Sequence, residues 1–119
     1  MNEKYSVKTQ NEVNSILEIL SEWKNFFFVE VRYFYEGWAI YMREKSTYPR
    51  SLVIFKSYGD DYYSFKSFEI HFSEKKETYK ELYINEKIGT VKQLQSEIKE
   101  IIYGKDILDS ITKLNNEPI

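Results

Sequence analysis

Phe26-Phe27-Phe28-Val29-Glu30-Val31-Arg32-Tyr33-Phe34-Tyr35-Glu36-Gly37-Trp38-Ala39-Ile40-Tyr41-Met42-Arg43 decides the fold of this chain. Val29, Val31, Tyr33 and Tyr35 fall on one side of an extended backbone, and Glu30, Arg32 and Phe34 on the other. That period of two marks a half-buried strand. Glu36-Gly37 interrupts the pattern before a second extended run at 38–43, which predicts a tight hairpin with Glu-Gly as its turn. Two adjacent antiparallel strands follow, and the rest of the chain is read outward from them.

Downstream, a polar loop at 44–50 containing Pro49 precedes Leu52-Val53-Ile54-Phe55, apolar on both faces and so a candidate central strand. Gly59-Asp60-Asp61 reads as a second turn. The next strand, 62–72, carries Tyr63 and Phe65 on one face and Phe68, Ile70 and Phe72 on the other, which suggests a bulge that switches faces. Residues 73–77 form a third turn, and a short strand is expected at 78–84.

Helical periodicity brackets this all-strand centre. Upstream, Thr9 and Glu12 form a capping-box pattern ahead of Val13, Ile16, Leu17 and Leu20, predicting a helix over 9–24. At the other end, Thr90 with Gln93 opens a stripe of Val91, Leu94, Ile98, Ile101 and Ile102. Gly104 either ends that helix in a left-handed cap, with Asp106 starting a last short helix through Leu108 and Ile111, or kinks a single long one. The chain is thus expected to be one α+β domain over residues 1–119. An antiparallel meander of about five strands has an N-terminal helix and one or two C-terminal helices on a single face. The expected core is Val13, Ile16, Leu17, Leu20, Val53, Phe55, Phe68, Ile70, Leu94, Ile98, Ile101, Leu108 and Ile111.

Composition excludes several function classes. Cysteine is absent, which removes disulfides, thiolate metal sites and cysteine nucleophiles. With 17 basic and 19 acidic residues the net charge is −2, with no basic field to gather phosphate. No stretch approaches the roughly 20 apolar residues of a membrane span, and the chain opens without an apolar leader, so a cytoplasmic protein without a membrane is expected. The four glycines, at 37, 59, 89 and 104, are too scattered for a phosphate-cradling loop. The single histidine, His71, shares a strand face with Glu69, but two groups do not make a metal or catalytic site. Asp60-Asp61 after Gly59 is ordinary turn chemistry. Neither a cofactor nor a metal is expected, and no catalytic residue is assigned.

What remains is the rings. All 21 aromatic residues except Tyr5 and Tyr103 lie between Trp23 and Tyr83. Three helices with their own aliphatic stripes need only one side of the sheet, so the surplus points to a contact surface. Tyr33, Tyr35, Trp38, Tyr41, Tyr58, Tyr62 and Tyr63 are the expected exposed patch, because Phe is the better core ring. The expected function is non-enzymatic binding of another protein, in the style of bacterial immunity proteins and phage-encoded inhibitors that occlude a macromolecular target. Three alternatives use other features. Stacking rings with interleaved Arg and Lys would suit single-stranded nucleic acid, an aromatic face packed on itself would make a small structural homodimer, and an enzyme would need a cleft collecting Glu69, His71 and Asp60 or Asp61.

Overall fold

The computed structural model describes residues 6–46 and 49–116, with side chains as far as Gly104 in the last helix. Helix α1 (Val7–Leu20) runs into a 3-10 turn (Ser21–Trp23). Strands β1 (Phe27–Tyr33), β2 (Gly37–Glu44), β3 (Arg50–Ser57), β4 (Tyr63–Ser73) and β5 (Lys76–Ile88) follow, and α2 (Val91–Asn116) closes the chain. Each strand pairs antiparallel with its sequence neighbour, giving the order β1-β2-β3-β4-β5. The α+β meander read from the periodicity is the fold observed.

Both helices cover the same face. Val13, Ile16 and Leu20 of α1 and Leu94, Ile98 and Ile102 of α2 share one core cluster with Ile40, Met42, Leu52, Ile54 and Phe65 of the sheet. Cross-strand register puts these in rows, such as Val31–Ile40–Ile54–Phe65. Apolar side chains in such rows pack against one another and against the helices, and each large one buried contributes about 1.5–3 kcal/mol.

Three polar links fasten the helices to that face. Arg50, only 2% exposed, makes paired hydrogen bonds to the Glu44 carboxylate at 2.6 and 3.2 Å and donates through Nη1 to the Ile101 carbonyl of α2 at 2.8 Å. Glu97 of α2 accepts from the Tyr83 hydroxyl and the Asn85 amide of β5. Glu12 of α1 accepts from Lys56 at 2.7 Å and from the Tyr63 hydroxyl at 3.0 Å. Burial and then Glu12 push the Tyr63 phenol up from its ordinary value, and burial and then Glu97 do the same at Tyr83.

Several local expectations change. Ser6, not Thr9, caps α1, its hydroxyl accepting from the Thr9 amide. Glu12 is unavailable for a capping box because Lys56 and Tyr63 hold it on the sheet. The helix ends at Leu20, and the 3-10 turn carries the buried Trp23. Gly104 neither caps nor ends a helix: α2 is continuous, and no glycine among the described residues has positive φ. Thr90 is the N-cap expected, accepting from the Gln93 amide at 3.1 Å. Leu17 and Ile101 are partly buried against the core; Leu108 and Ile111 lie outside the described side chains.

The hairpin turn also differs. The Phe34 amide bonds the Gly37 carbonyl at 2.7 Å, so Tyr35-Glu36 make the turn and Gly37 begins β2. Gly37 is glycine for another reason: a Cβ there would sit 2.1 Å from the Lys56 carbonyl oxygen. In urea unfolding, Gly37→Ala should cost about 1–3 kcal/mol, the range for forcing an extra carbon into a packed site, with little change in m. Arg50→Met alone should cost up to about 3–5 kcal/mol, because it removes the cation paired with the Glu44 carboxylate and the donor to the Ile101 carbonyl, and Arg50→Met with Glu44→Met should recover part of that loss.

Candidate functional site: the open face of the sheet

β-strand alternation sends every second side chain to the face opposite the helices. Cross-strand register arranges these residues in three rows: Phe28–Arg43–Ser51–Phe68–Glu81, Glu30–Tyr41–Val53–Lys66–Ile84, and Arg32–Ala39–Phe55–Ser64. Small residues (Ala39, Ser51, Ser64) stand beside large ones, which carves depressions into the surface. One, of about 670 Å³, has Tyr41, Val53, Phe55 and Tyr62 among its lining residues. A second, of about 370 Å³, is lined by Tyr41, Ser51, Val53, Phe68 and Tyr79. Tyr41 and Val53 belong to both, so the two form one trough across β2–β5.

Side chains from the two sides of the sheet meet across this trough. Arg43 of β2 reaches Glu77 of β5 at 2.7 Å. Residues of the β4–β5 hairpin beyond Ile70, whose amide bonds the Pro49 carbonyl, extend past the start of β3 and lean over the trough. Glu77 also accepts a short hydrogen bond from the Tyr79 hydroxyl, and the Arg43 guanidinium lies 5.9 Å from the centre of the Phe72 ring. The Tyr79 bond first and Arg43 second hold the Glu77 carboxyl below its ordinary value of 4.5.

The rim carries charges of both signs, several of them paired. Arg32 pairs with Glu30 at 3.1 Å and lies 5.1 Å over the Tyr41 ring. Lys66 lies 3.9 Å from Glu86.

Of the seven expected patch residues, the structure brings Tyr41 and Tyr62 into the trough. Tyr35 is 97% exposed at the tip of the β1–β2 turn. Tyr33 sits on the helix face of β1, and Tyr58 also packs partly against the core. Trp38 and Tyr63 correct the expectation: they are 1% and 5% exposed and pack ring to ring at 6.2 Å under the helices. Their strands place them in the helix-facing set, and the Tyr63 hydroxyl finds Glu12, which makes burial of a phenol tolerable.

The reverse correction applies to Val53, Phe55 and Phe68, expected in the core but placed on the trough floor, each partly exposed. Phe72, Tyr79 and Ile84, absent from the expected patch, are 59%, 55% and 42% exposed on the same face. A strict count along β4 groups Phe68 and Phe72 on one face, since 64, 66, 68, 70 and 72 alternate without a switch. The irregularities lie in β5, where one extra residue falls opposite the 63–65 step and another opposite the 67–68 step.

The remaining candidate chemistry does not converge. His71 and Glu69 lie 3.5 Å apart, both about half exposed. Asp60 is in the β3–β4 turn, at the other end of β4: Tyr63 and His71 are eight strand residues apart, roughly 27 Å at about 3.4 Å each. No group of three or more His, Asp or Glu among the described residues is placed to hold a metal ion. No helix among them is long and apolar enough to cross a membrane. Comparison with protein-family models, curated proteins and solved structures gives no match.

The hairpin latch has a pH signature. A carboxyl whose folded pKa is depressed favours the folded arrangement above its ordinary pKa and loses that contribution as pH falls through the depressed value. In a carboxyl-carbon NMR titration, Glu77 should therefore titrate below 4.5, with the Tyr79 and Phe72 ring signals moving in step. Arg43→Gln should shift the Glu77 midpoint upward.

Proposed function

We propose that this chain is a non-catalytic binding protein whose open sheet face receives another protein, and that it acts by occluding that partner in the cytoplasm. The observation that supports this reading is the trough itself. Its floor is apolar and aromatic, it is large enough to take side chains of a partner, and charges of both signs, including the Arg32–Glu30, Arg43–Glu77 and Lys66–Glu86 pairs, lie along or near it. Buried aromatic and aliphatic anchors inside a polar rim are the anatomy of protein interfaces.

Charge compensation favours a protein over a nucleic acid. Phosphate tracking needs cations available to release counterions, and base stacking needs free ring faces. Here Arg32 and Arg43 are engaged by Glu30 and Glu77, and the same guanidiniums approach the Tyr41 and Phe72 rings. A partner surface of mixed polarity fits such a rim, whereas a polyanion would have to displace the carboxylates.

Val53→Lys sets an ammonium on the trough floor, and Tyr62→Ala removes an exposed ring from its wall. A partner recovered with the wild-type chain should bind Val53→Lys at least tenfold more weakly by calorimetry, about 1.4 kcal/mol or more, with both variants keeping the wild-type circular dichroism spectrum. Unchanged affinity in both variants would remove the open face from the binding reaction. Binding of single-stranded oligonucleotide that weakens steeply with salt would instead favour the nucleic-acid reading.

A further inference from the structure

The two edges of the sheet are built differently. β5 carries two register irregularities and the charged residues Lys76, Lys80, Glu81, Glu86 and Lys87, devices that spoil an edge as a template for another strand. β1 has no such irregularity and only two charged residues, Glu30 and Arg32, which are of opposite sign. Its seven residues pair with β2 in unbroken register and include no lysine, proline or glycine. Its apolar side chains are nonetheless exposed: Phe28 at 63% and Val29 at 38%, with Phe34 just beyond the strand at 38%.

Backbone parity identifies which groups that edge offers. The Phe34 amide bonds Gly37 and the Lys45 amide bonds the Phe26 carbonyl. In an antiparallel ladder, hydrogen-bonded positions alternate, so the even residues of β1 bond β2 and the amides and carbonyls of Phe27, Val29, Val31 and Tyr33 point outward. These groups line up with the corresponding groups of a second strand in any two-fold pairing centred on a residue.

Side chains then choose the register. A two-fold axis at Glu30 sets that carboxylate against itself, and an axis at Arg32 sets two guanidiniums together. An axis at Val31 places Glu30 opposite Arg32 of the second copy twice over, Phe28 opposite its Phe34, and Val29 opposite its Tyr33. Glu30 and Arg32 would then meet at a non-hydrogen-bonded pair, where facing side chains are closest. The strand is self-complementary in charge and in apolar matching at this one register among the three.

The geometry points to β1 as the site at which a second copy of this chain docks, edge to edge about Val31, forming a continuous ten-stranded sheet. The open faces of both copies stay uncovered, with Glu30 and Arg32 shared between the paired edge and the border of the trough.

Charge-reversal variants at two exposed positions test it. Wild-type chain should elute with light scattering at twice the chain mass. Glu30→Arg and Arg32→Glu should each run as monomers with unchanged circular dichroism, because each sets like charges opposite one another. An equimolar mixture of the two should return to the dimer mass, since two cationic positions then face two anionic ones. The pairing of Glu30 with Arg32 within one chain cannot produce that recovery. A wild-type mass of one chain at every accessible concentration, single variants that stay dimeric, or a mixture that stays monomeric would each overturn the proposal and leave the trough reading intact.

Discussion

A guanidinium cannot be buried alone. Removing its charge from water costs several kcal/mol of the order expected for any ion, and only a well-placed partner returns it. Arg50 meets that requirement with the Glu44 carboxylate and with a carbonyl of α2. One side chain at the start of β3 therefore ties together the end of β2 and a helix contributed by the other end of the chain. With α2 held there, and α1 held by Glu12 on Lys56 and Tyr63, neither helix is free to move to the opposite face. The asymmetry of the molecule follows: one face supplies the polar anchorage of both helices, and the other faces away from them.

That division explains the ring content better than a count does. Trp23, Phe27, Trp38, Tyr63 and Phe65 fill the space between sheet and helices. Phe28, Tyr41, Phe55, Phe68, Phe72 and Tyr79 occupy the uncovered side. Phenylalanine is well represented there, and Phe55 and Phe68 are partly buried among the side chains that line the trough. The leaning β4–β5 hairpin and the Arg43–Glu77–Tyr79 contacts reduce exposure at one end of the trough without closing it.

Much of this architecture was legible in the sequence. The period-two run from Phe26 to Arg43 specified the first hairpin, the Thr90/Gln93 pattern specified the start of α2, and the aliphatic stripes specified which helix faces are buried. The site was less legible. Trp38 was expected outside and Val53 inside because a side chain's face depends on register, and register depends on neighbours rather than on local composition. Tyr63 shows the same limit, since its burial needs Glu12, 51 residues away in the chain. Glu12 itself carried a plausible local signal for a capping box that a long-range lysine overrode. Gly37 was read as a turn residue when its constraint is the carbonyl of Lys56 on the adjoining strand. In each case the deciding partner is far along the sequence and close in space.

The strictly sequential strand order has a kinetic consequence. Each strand pairs with the one just before it, so the sheet grows by closing loops of only a few residues, and chain entropy is lost in small steps. Contacts such as Lys56 with Glu12, Arg50 with Ile101 and Trp23 with Tyr103 close far longer loops. A meander assembled hairpin by hairpin can thus stand before its helices dock. During that interval both of its faces are bare, and the face that stays bare afterwards is the one the helices never had residues to reach.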